Sequence, residues 1–127
     1  MGSNDSIKVW SRGNTVCVRL FGQIGDRSAR DQEIKEKLED ATRKAGIKLV
    51  LDMEKVNMIT SFGMSILEKF FRQVLREGGN VRMINVAEQA FHSLELMGLT
   101  KKATIELSSG QILVPDPMPH EKNNSDI

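Results

Sequence analysis

The chain has 127 residues, the length of one domain, and its formal net charge is +1. This charge balance argues against the basic surface of a nucleic-acid-binding protein. Cys17 is the single cysteine, which excludes an internal disulfide framework, and its apolar neighbours predict a buried thiol. The longest apolar runs fall far short of the ~20 residues that a membrane span needs, and no signal-peptide pattern opens the chain. We therefore expect a cytoplasmic domain that has no cofactor and no membrane span.

Two strands are predicted at the start of the chain, over residues 7–10 and 15–21. The second alternates between apolar and mixed positions, as a half-buried strand does. Gly13-Asn14 between them is a tight-turn pair, which predicts an antiparallel hairpin. Residues 22–25 follow and are predicted to form a loop.

The first helix is predicted to begin near Ser28. Ser28 and Asp31 have the spacing of a capping box, in which the two side chains bond each other's backbone N–H groups. Gly46 is expected to end this helix. Its apolar residues recur at helical spacing and are Ile34, Leu38, Ala41 and Ala45.

A buried strand at Leu49-Val50-Leu51 comes next, and the sequence becomes polar over residues 52–55. Asp52 and Glu54 lie in this polar stretch. A pair of carboxylates there could hold a metal ion or serve as an acid pair, but carboxylates after a buried strand are more often loop residues, and we favour that interpretation.

The second helix shows the clearest periodicity in the chain. Glu68 and Arg72 on its polar side form a favourable i,i+4 pair, and Gly78-Gly79 ends it. Its predicted inner face comprises Ile66, Leu67, Phe70, Phe71, Val74 and Leu75.

The remaining elements are a strand at 81–86, a helix at 87–97 and a short strand at 103–107. The order is therefore β-β-α-β-α-β-α-β. Right-handed connections through helices make the later strands parallel, so with the opening hairpin the sheet is mixed. We predict an α/β domain over residues 1–110, with a single sheet covered by helices mainly on one face, and a flexible tail over 111–127.

The tail is expected to contribute little to stability, because it is rich in proline and polar residues and has almost no apolar periodicity. Deleting residues 115–127 should leave the melting temperature nearly unchanged. A decrease of more than ~4 °C, the scale of 1 kcal/mol in a domain of this size, would show that the tail docks on the core.

The sequence contains no convincing set of catalytic or metal-binding residues. His92 and Glu95 are interpreted as a surface pair on the third helix, and two distant histidines with one cysteine make no metal set. Ser61 has no candidate base beside it and lies in no Gly-x-Ser-x-Gly elbow. We therefore predict that the chain is not an enzyme.

The corner between the central strand and the second helix, Thr60-Ser61-Phe62-Gly63, is the candidate site. One interpretation is structural: a hydroxyl of Thr60 or Ser61 caps the helix, and this contributes ~1 kcal/mol. The other is functional, because α/β folds place working groups at such corners, and Gly63 would keep the backbone accessible. Phe62 is either an anchor for a partner, which we favour, or a residue turned inward onto the sheet.

From the central strand onward the sequence resembles the STAS family, the domain of bacterial anti-sigma factor antagonists. The resemblance covers residues 6–107. It includes the opening hairpin with the apolar-Gly segment of residues 20–24. The other matching pieces are Leu49-Val50-Leu51-Asp52, Met58-Ile59, Thr60-Ser61-Phe62-Gly63, Gly78-Gly79, residues 81–86 and residues 94–99.

The resemblance implies that Ser61 is phosphorylated by a partner anti-sigma factor that is also a serine kinase, and dephosphorylated by a phosphatase. Thr60 is the competing hydroxyl. The unphosphorylated chain, a monomer or weak dimer, would bind the anti-sigma factor and so release the sigma factor. The implied partner surface comprises Thr60, Ser61, Phe62, Gly63, Met64 and Glu68.

Two features depart from the family pattern. Thr60 occupies the position of the motif Asp, which removes a negative charge beside the phosphate acceptor. The family's final helix is also not evident, because the prolines after residue 114 prevent it. These departures leave a second possibility, a divergent STAS adaptor without a phosphorylation cycle, serving as a signalling scaffold, a sensor component or a transporter accessory.

Overall fold

The computed structural model describes residues 6–115, which form one six-stranded sheet, three α-helices and a 3-10 helix. The elements are β1 (Ile7–Arg12), β2 (Thr15–Ile24), α1 (Ala29–Ala41), β3 (Lys48–Ile59), α2 (Ser61–Arg76), β4 (Asn80–Val86), α3 (Glu88–Leu96), the 3-10 helix (Leu99–Lys101), β5 (Thr104–Leu107) and β6 (Ile112–Leu113). The predicted order of elements is confirmed. The sheet also continues past residue 110 into β6, and positions 116–127 of the predicted tail lie outside the described residues.

The strands follow one another across the sheet in sequence order, from β1 to β6. β1 and β2 form the predicted antiparallel hairpin, and β2, β3, β4 and β5 run parallel. β6 returns antiparallel to β5. The prediction of a single mixed sheet is therefore correct.

The core lies on one face of this sheet. Alternate residues of each inner strand are buried there, while the residues between them are half-buried or exposed, except for the buried Asp52 of β3. From α2, Leu67 and Phe71 enter this core and are both 0% exposed. The strand residues on the same side include Val18, Leu20, Leu49, Leu51, Met83 and Ile105. Helices thus cover mainly one face, as predicted, and the amphipathic spacing of α2 positions the corner that precedes it.

β2 and β3 exceed their predicted lengths most. β2 extends to Ile24 where a loop was expected, and β3 extends from Lys48 to Ile59 through the polar stretch. The two strands pair in parallel along this whole length, with irregularities that place two extra residues in β3. Backbone pairing between the strands therefore overrides the local polarity of residues 52–55, and each bulge absorbs one unpaired residue.

Three predictions about helix ends and faces were wrong. α1 ends at Ala41, because Thr42 closes it with both its backbone N–H and its hydroxyl bonded to the carbonyl of Leu38. Leu75, predicted on the inner face of α2, is 38% exposed. Met97, which the apolar spacing of the third helix places on its inner face, lies beyond the end of α3 and is 40% exposed. Cys17 is also only half-buried, since it lies on the helix-free face of β2.

Asp52 is a buried member of β3 and not a loop residue. Its carboxylate accepts two hydrogen bonds from the Arg19 guanidinium (2.9 and 3.1 Å). It also accepts bonds from the Asn85 amide (2.9 Å) and from the backbone N–H of Glu54 (3.0 Å). The last of these satisfies a donor at the first bulge, so Asp52 ties three strands together where β3 bends.

Replacing Asp52 with alanine is expected to cost about 2–3 kcal/mol of unfolding free energy, because the donors around it lose their acceptor. The matched control is Glu106→Ala on β5. Its carboxylate is 2.9 Å from the guanidinium of Arg82 on the neighbouring strand β4, but this ion pair lies at the surface. That control should cost less than about 1 kcal/mol. Urea unfolding at pH 7 gives both values, and equal losses would contradict the role given to Asp52.

The cost of Asp52→Ala should also depend on pH. Burial alone would raise the pKa of Asp52, but hydrogen bonds from Asn85, from the Glu54 backbone and from Arg19 outweigh it and hold the pKa below the usual 3.8. A carboxyl whose pKa is lower in the folded state stabilises the fold above its unfolded pKa and loses that contribution as the pH falls through its folded pKa. The difference between wild type and Asp52→Ala should therefore shrink below about pH 4.

Candidate functional site

Thr60 caps α2 at the carboxyl end of β3. Its hydroxyl accepts the backbone N–H of Gly63 at 3.0 Å and donates to the carbonyl of Gly25 at 2.8 Å. Its own backbone N–H bonds to Ile24 at 3.0 Å. The capping role that the sequence offered to either hydroxyl thus belongs to Thr60, whose side chain joins the end of β2 to the start of α2.

Ser61 occupies the first turn of α2 and is exposed. Its backbone carbonyl accepts the hydroxyl of Ser65 at 3.1 Å, as expected inside a helix. The two adjacent hydroxyls are therefore in different environments. The hydroxyl of Thr60 is half-buried and engaged as both donor and acceptor, whereas Ser61 faces solvent.

Gly63 does not keep the backbone accessible, as the sequence suggested. It is buried, and a methyl group at its Cα would lie 2.3 Å from the carbonyl oxygen of Ile24. Gly25 has a φ of +94°, and a methyl group there would lie 2.1 Å from the Thr60 hydroxyl oxygen. The two glycines therefore allow β2 and α2 to approach closely, which the capping hydrogen bonds of Thr60 require.

Asp31 organises the loop that faces the corner. Ser28 is the N-cap of α1, as predicted, but its hydroxyl accepts the N–H of Arg30 at 3.2 Å and not that of Asp31. The predicted reciprocal partner behaves differently: the buried carboxylate of Asp31 accepts the N–H groups of Gly25 (2.9 Å) and Arg27 (2.6 Å). The carboxylate of Asp31 thus holds the loop between β2 and α1 in place. Sequence spacing alone did not indicate this role of Asp31.

Phe62 lies between the two interpretations offered for it. It is half-buried and packs against the hydrophobic core, and the guanidinium of Arg27 stacks 4.2 Å from its ring centroid. Beside the ring is a surface cavity of about 200 Å³ that is also lined by Ser28, Gln32 and Lys35. Arg27 and Lys35 were not among the predicted site residues, because only the fold brings α1 next to the corner.

Replacing Phe62 with alanine is expected to cost about 1–2 kcal/mol, because only part of the ring leaves water on folding. Phe70→Ala provides the reference, since Phe70 of the same helix is 3% exposed and its loss should cost about 3–5 kcal/mol. Chemical denaturation of the two variants gives the comparison. If Phe62→Ala costs as much as Phe70→Ala, Phe62 is a core residue and has little surface left for a partner.

The other predicted surface residues divide by exposure. Gly63 and Met64 are buried, Met64 being 4% exposed, so their side of the corner supports the surface without forming it. Glu68 is half-buried and reaches the surface between Arg72 (2.6 Å) and Lys102 (3.7 Å). Ser61, Phe62 and Glu68 are therefore the members of the predicted set that a partner can reach directly, beside the half-buried Thr60.

Two carboxylates near this surface stay ionised. The hydrogen bond from Arg72 lowers the pKa of Glu68, helped by the charges of Arg72 and Lys102. In the loop before α1, hydrogen bonds from the Ser28 side chain and backbone lower the pKa of Asp26. Both acids face the solvent beside basic side chains, so the surface around Ser61 carries mixed charges of fixed sign near neutral pH.

The described part of the chain contains no cluster of three or more His, Cys, Asp or Glu side chains placed to hold a metal ion. His92 and Glu95 both lie exposed on α3, which agrees with a surface pair. Within residues 6–115, no helix is long and apolar enough to cross a membrane.

The fold is similar to several solved structures of low sequence identity. The anti-sigma factor antagonist SpoIIAA of Bacillus, solved in its unphosphorylated form, shares 14% identity with a TM-score of 0.60, and the match covers 94% of this chain and 96% of that one. A putative anti-sigma factor antagonist of Thermotoga maritima shares 16% identity with a TM-score of 0.67, covering 95% of each chain. An anti-sigma factor antagonist of Mycobacterium paratuberculosis shares 19% identity with a TM-score of 0.61, covering 98% and 97%.

A search of curated protein sequences gave no significant match. The sequence model of the STAS domain, in contrast, matches residues 6–112, which include every element from β1 to the start of β6. The predicted resemblance is thereby confirmed: the chain belongs to the STAS domain family.

Proposed function

We propose that this chain is an anti-sigma factor antagonist, a regulatory binding module that phosphorylation of Ser61 switches off. The observation that carries the proposal is the exposed position of Ser61 on the first turn of α2, next to a threonine whose hydroxyl is already engaged. Membership of the STAS family supports it. SpoIIAA, which has a similar fold, has been solved in both its phosphorylated and its unphosphorylated forms.

Phosphorylation of Ser61 should weaken the binding of a partner without unfolding the domain. A phosphate on Ser61 would add about −1.5 to −2 charges at a helix N-terminus, where negative charge is favoured by roughly 0.3–1 kcal/mol. The domain should therefore remain folded when modified. A partner packed over Ser61 and Phe62 would instead have to accommodate a bulky dianion.

The partners we propose are an anti-sigma factor with serine kinase activity, which binds through the corner and the exposed face of α2, and a phosphatase that removes the phosphate. The chain itself would bind without catalysing a reaction, as a monomer or weak dimer. The partner-facing members of the set are Thr60, Ser61, Phe62 and Glu68, with Gly63 and Met64 beneath them.

One observation favours a second candidate, a STAS adaptor without a phosphorylation cycle. Thr60 stands in the place of the motif Asp, and its hydroxyl donates to the Gly25 carbonyl, which a carboxylate cannot do. The cap is thus retained while the charge beside Ser61 is lost. A kinase that recognises that charge would phosphorylate Ser61 of this chain less efficiently.

The experiment that separates the two candidates is affinity purification of the tagged chain from its native cell, in the wild-type form and as Ser61→Asp. The antagonist proposal predicts that the wild-type chain recovers an anti-sigma factor with a kinase domain and that Ser61→Asp recovers much less of it. Equal recovery by both forms of a scaffold or transporter subunit would support the adaptor instead.

A further inference from the structure

Within the described part of the chain, the last part of β3 has a strand on one side only. β4 pairs with β3 as far as the Asp52–Ile84 position, after which Asn85 adopts a φ of +58° and the pairing ends. Over residues 53–59, β3 continues beside β2, and among the residues described no strand pairs with its other edge. Backbone N–H and C=O groups of a strand point alternately to its two sides. This free edge therefore presents donors and acceptors to the space beyond it.

That space is a cavity of about 290 Å³ between β3, the end of β4 and α3. Its wall is mainly apolar and includes Met53, Met58, Ile59 and Leu94. Its polar side chains are the amides of Asn57 and Gln89, and none of the charged residues within 6–115 lines it. Met58 is 55% exposed at one side, so the cavity opens to solvent.

We propose that this cavity binds a small uncharged molecule that has an apolar body and at least one hydrogen-bonding group. The apolar wall would bury the body, while the Asn57 and Gln89 amides and the free edge of β3 would bond the polar group. The absence of a lining cation or carboxylate selects against an ionised ligand, whose desolvation nothing would offset. The cavity shares no lining residue with the predicted partner surface around Ser61, and the proposal does not depend on the proposed switch.

Two features support a ligand site at this position. The cavity lies at the carboxyl end of parallel strands, the edge of an α/β sheet where ligands usually bind. Two bulges bend β3 along the same stretch, and bulges of this kind recur beside binding sites. The volume distinguishes between possible occupants. About 290 Å³ is just below the roughly 300–1,000 Å³ that is usual for ligand pockets. This volume suits a compact molecule and leaves little room for a strand of a partner.

The test is an NMR titration of the full ¹⁵N-labelled chain with 4-phenylbutan-1-ol, and with 4-phenylbutyrate as its anionic counterpart. We expect saturable shifts of the amides of β3 beyond Met53 and of the first turn of α3, with a Kd of about 1 mM for a ligand of this size. Phenylbutyrate should bind at least ~10-fold more weakly.

Ala90→Leu adds bulk inside the cavity and should weaken phenylbutanol binding at least ~10-fold. Ala29→Leu, an exposed alanine on α1 outside the cavity, should leave it unchanged. If Ala90→Leu loses the native spectrum, Ala87→Leu replaces it, since Ala87 lines the cavity and is exposed.

Several results would overturn the proposal. They are the absence of saturable shifts up to 20 mM phenylbutanol, shifts that map elsewhere, and equal binding of phenylbutyrate. Unchanged binding by the cavity variant would do the same. Binding that appears only after deletion of residues 116–127 would also overturn it, because the chain's own C-terminal segment would then be the occupant.

Discussion

Gly63→Ala is expected to lower the free energy of unfolding by about 3 kcal/mol or more, although alanine is the better helix former by up to about 1 kcal/mol. The added methyl group would lie 2.3 Å from the Ile24 carbonyl oxygen, which is backbone and cannot turn aside. To relieve the clash, the end of β2 must move away from α2. That movement would lengthen the hydrogen bonds of Thr60 to Ile24 and Gly25, so one methyl group disrupts the whole corner.

At about 4 °C per kcal/mol for a domain of this size, the melting temperature of Gly63→Ala should fall by about 12 °C. Ser65→Ala is the matched control, because Ser65 is exposed two residues further along the same helix. That variant should stay within ~0.5 kcal/mol of wild type. Thermal unfolding followed by circular dichroism measures both. A stabilised Gly63→Ala would mean that β2 and α2 are not in the close contact described.

The second large effect is on binding. Ser61→Asp should weaken the complex with the proposed anti-sigma factor about a hundredfold, equivalent to ~2.8 kcal/mol, while the melting temperature stays near that of wild type. The fold tolerates the charge because it lies at a helix N-terminus. The complex does not, because the carboxylate would lie in a surface packed against the partner. Ser61→Ala should bind like wild type.

Ser11→Asp controls for the added charge itself. Ser11 is exposed on β1 and pairs with Val16, at the opposite end of the sheet from the corner. Calorimetric titration with the partner should show wild-type affinity for this variant. A similar loss for Ser11→Asp and Ser61→Asp would indicate a general effect of charge. A carboxylate carries about half the charge of a phosphate. If Ser61→Asp weakens binding only slightly, the titration is therefore repeated with the chain phosphorylated on Ser61.

Local patterns predicted the elements of this fold and the location of its corner. The apolar spacing of α2 and the hydroxyls before it were sufficient to locate the helix and its start, since both are properties of consecutive residues. The lengths of β2 and β3 were not predictable in this way. The polar residues 52–55 look like a loop until their backbone groups are known to pair with β2, which comes from a distant part of the chain.

The roles of side chains that bond across the fold were missed for the same reason. Asp52 looked like a loop carboxylate because its partners, Arg19 and Asn85, are each 33 positions away in sequence. Gly63 looked accessible because its neighbour across the corner, Ile24, belongs to another strand. Such contacts are determined by strand register, and composition and periodicity carry little information about it.

The most direct test of the central claim is site-resolved mass spectrometry of the chain after incubation with ATP and the kinase that copurifies with it. We predict one phosphate, on Ser61, that is absent from Ser61→Ala, together with a fold that remains intact and a complex that dissociates. Phosphate on Thr60 alone would contradict this account, because the hydroxyl we describe as engaged in the cap would be the acceptor. No phosphate on either residue, with binding retained, would contradict it as well and would identify an unregulated adaptor.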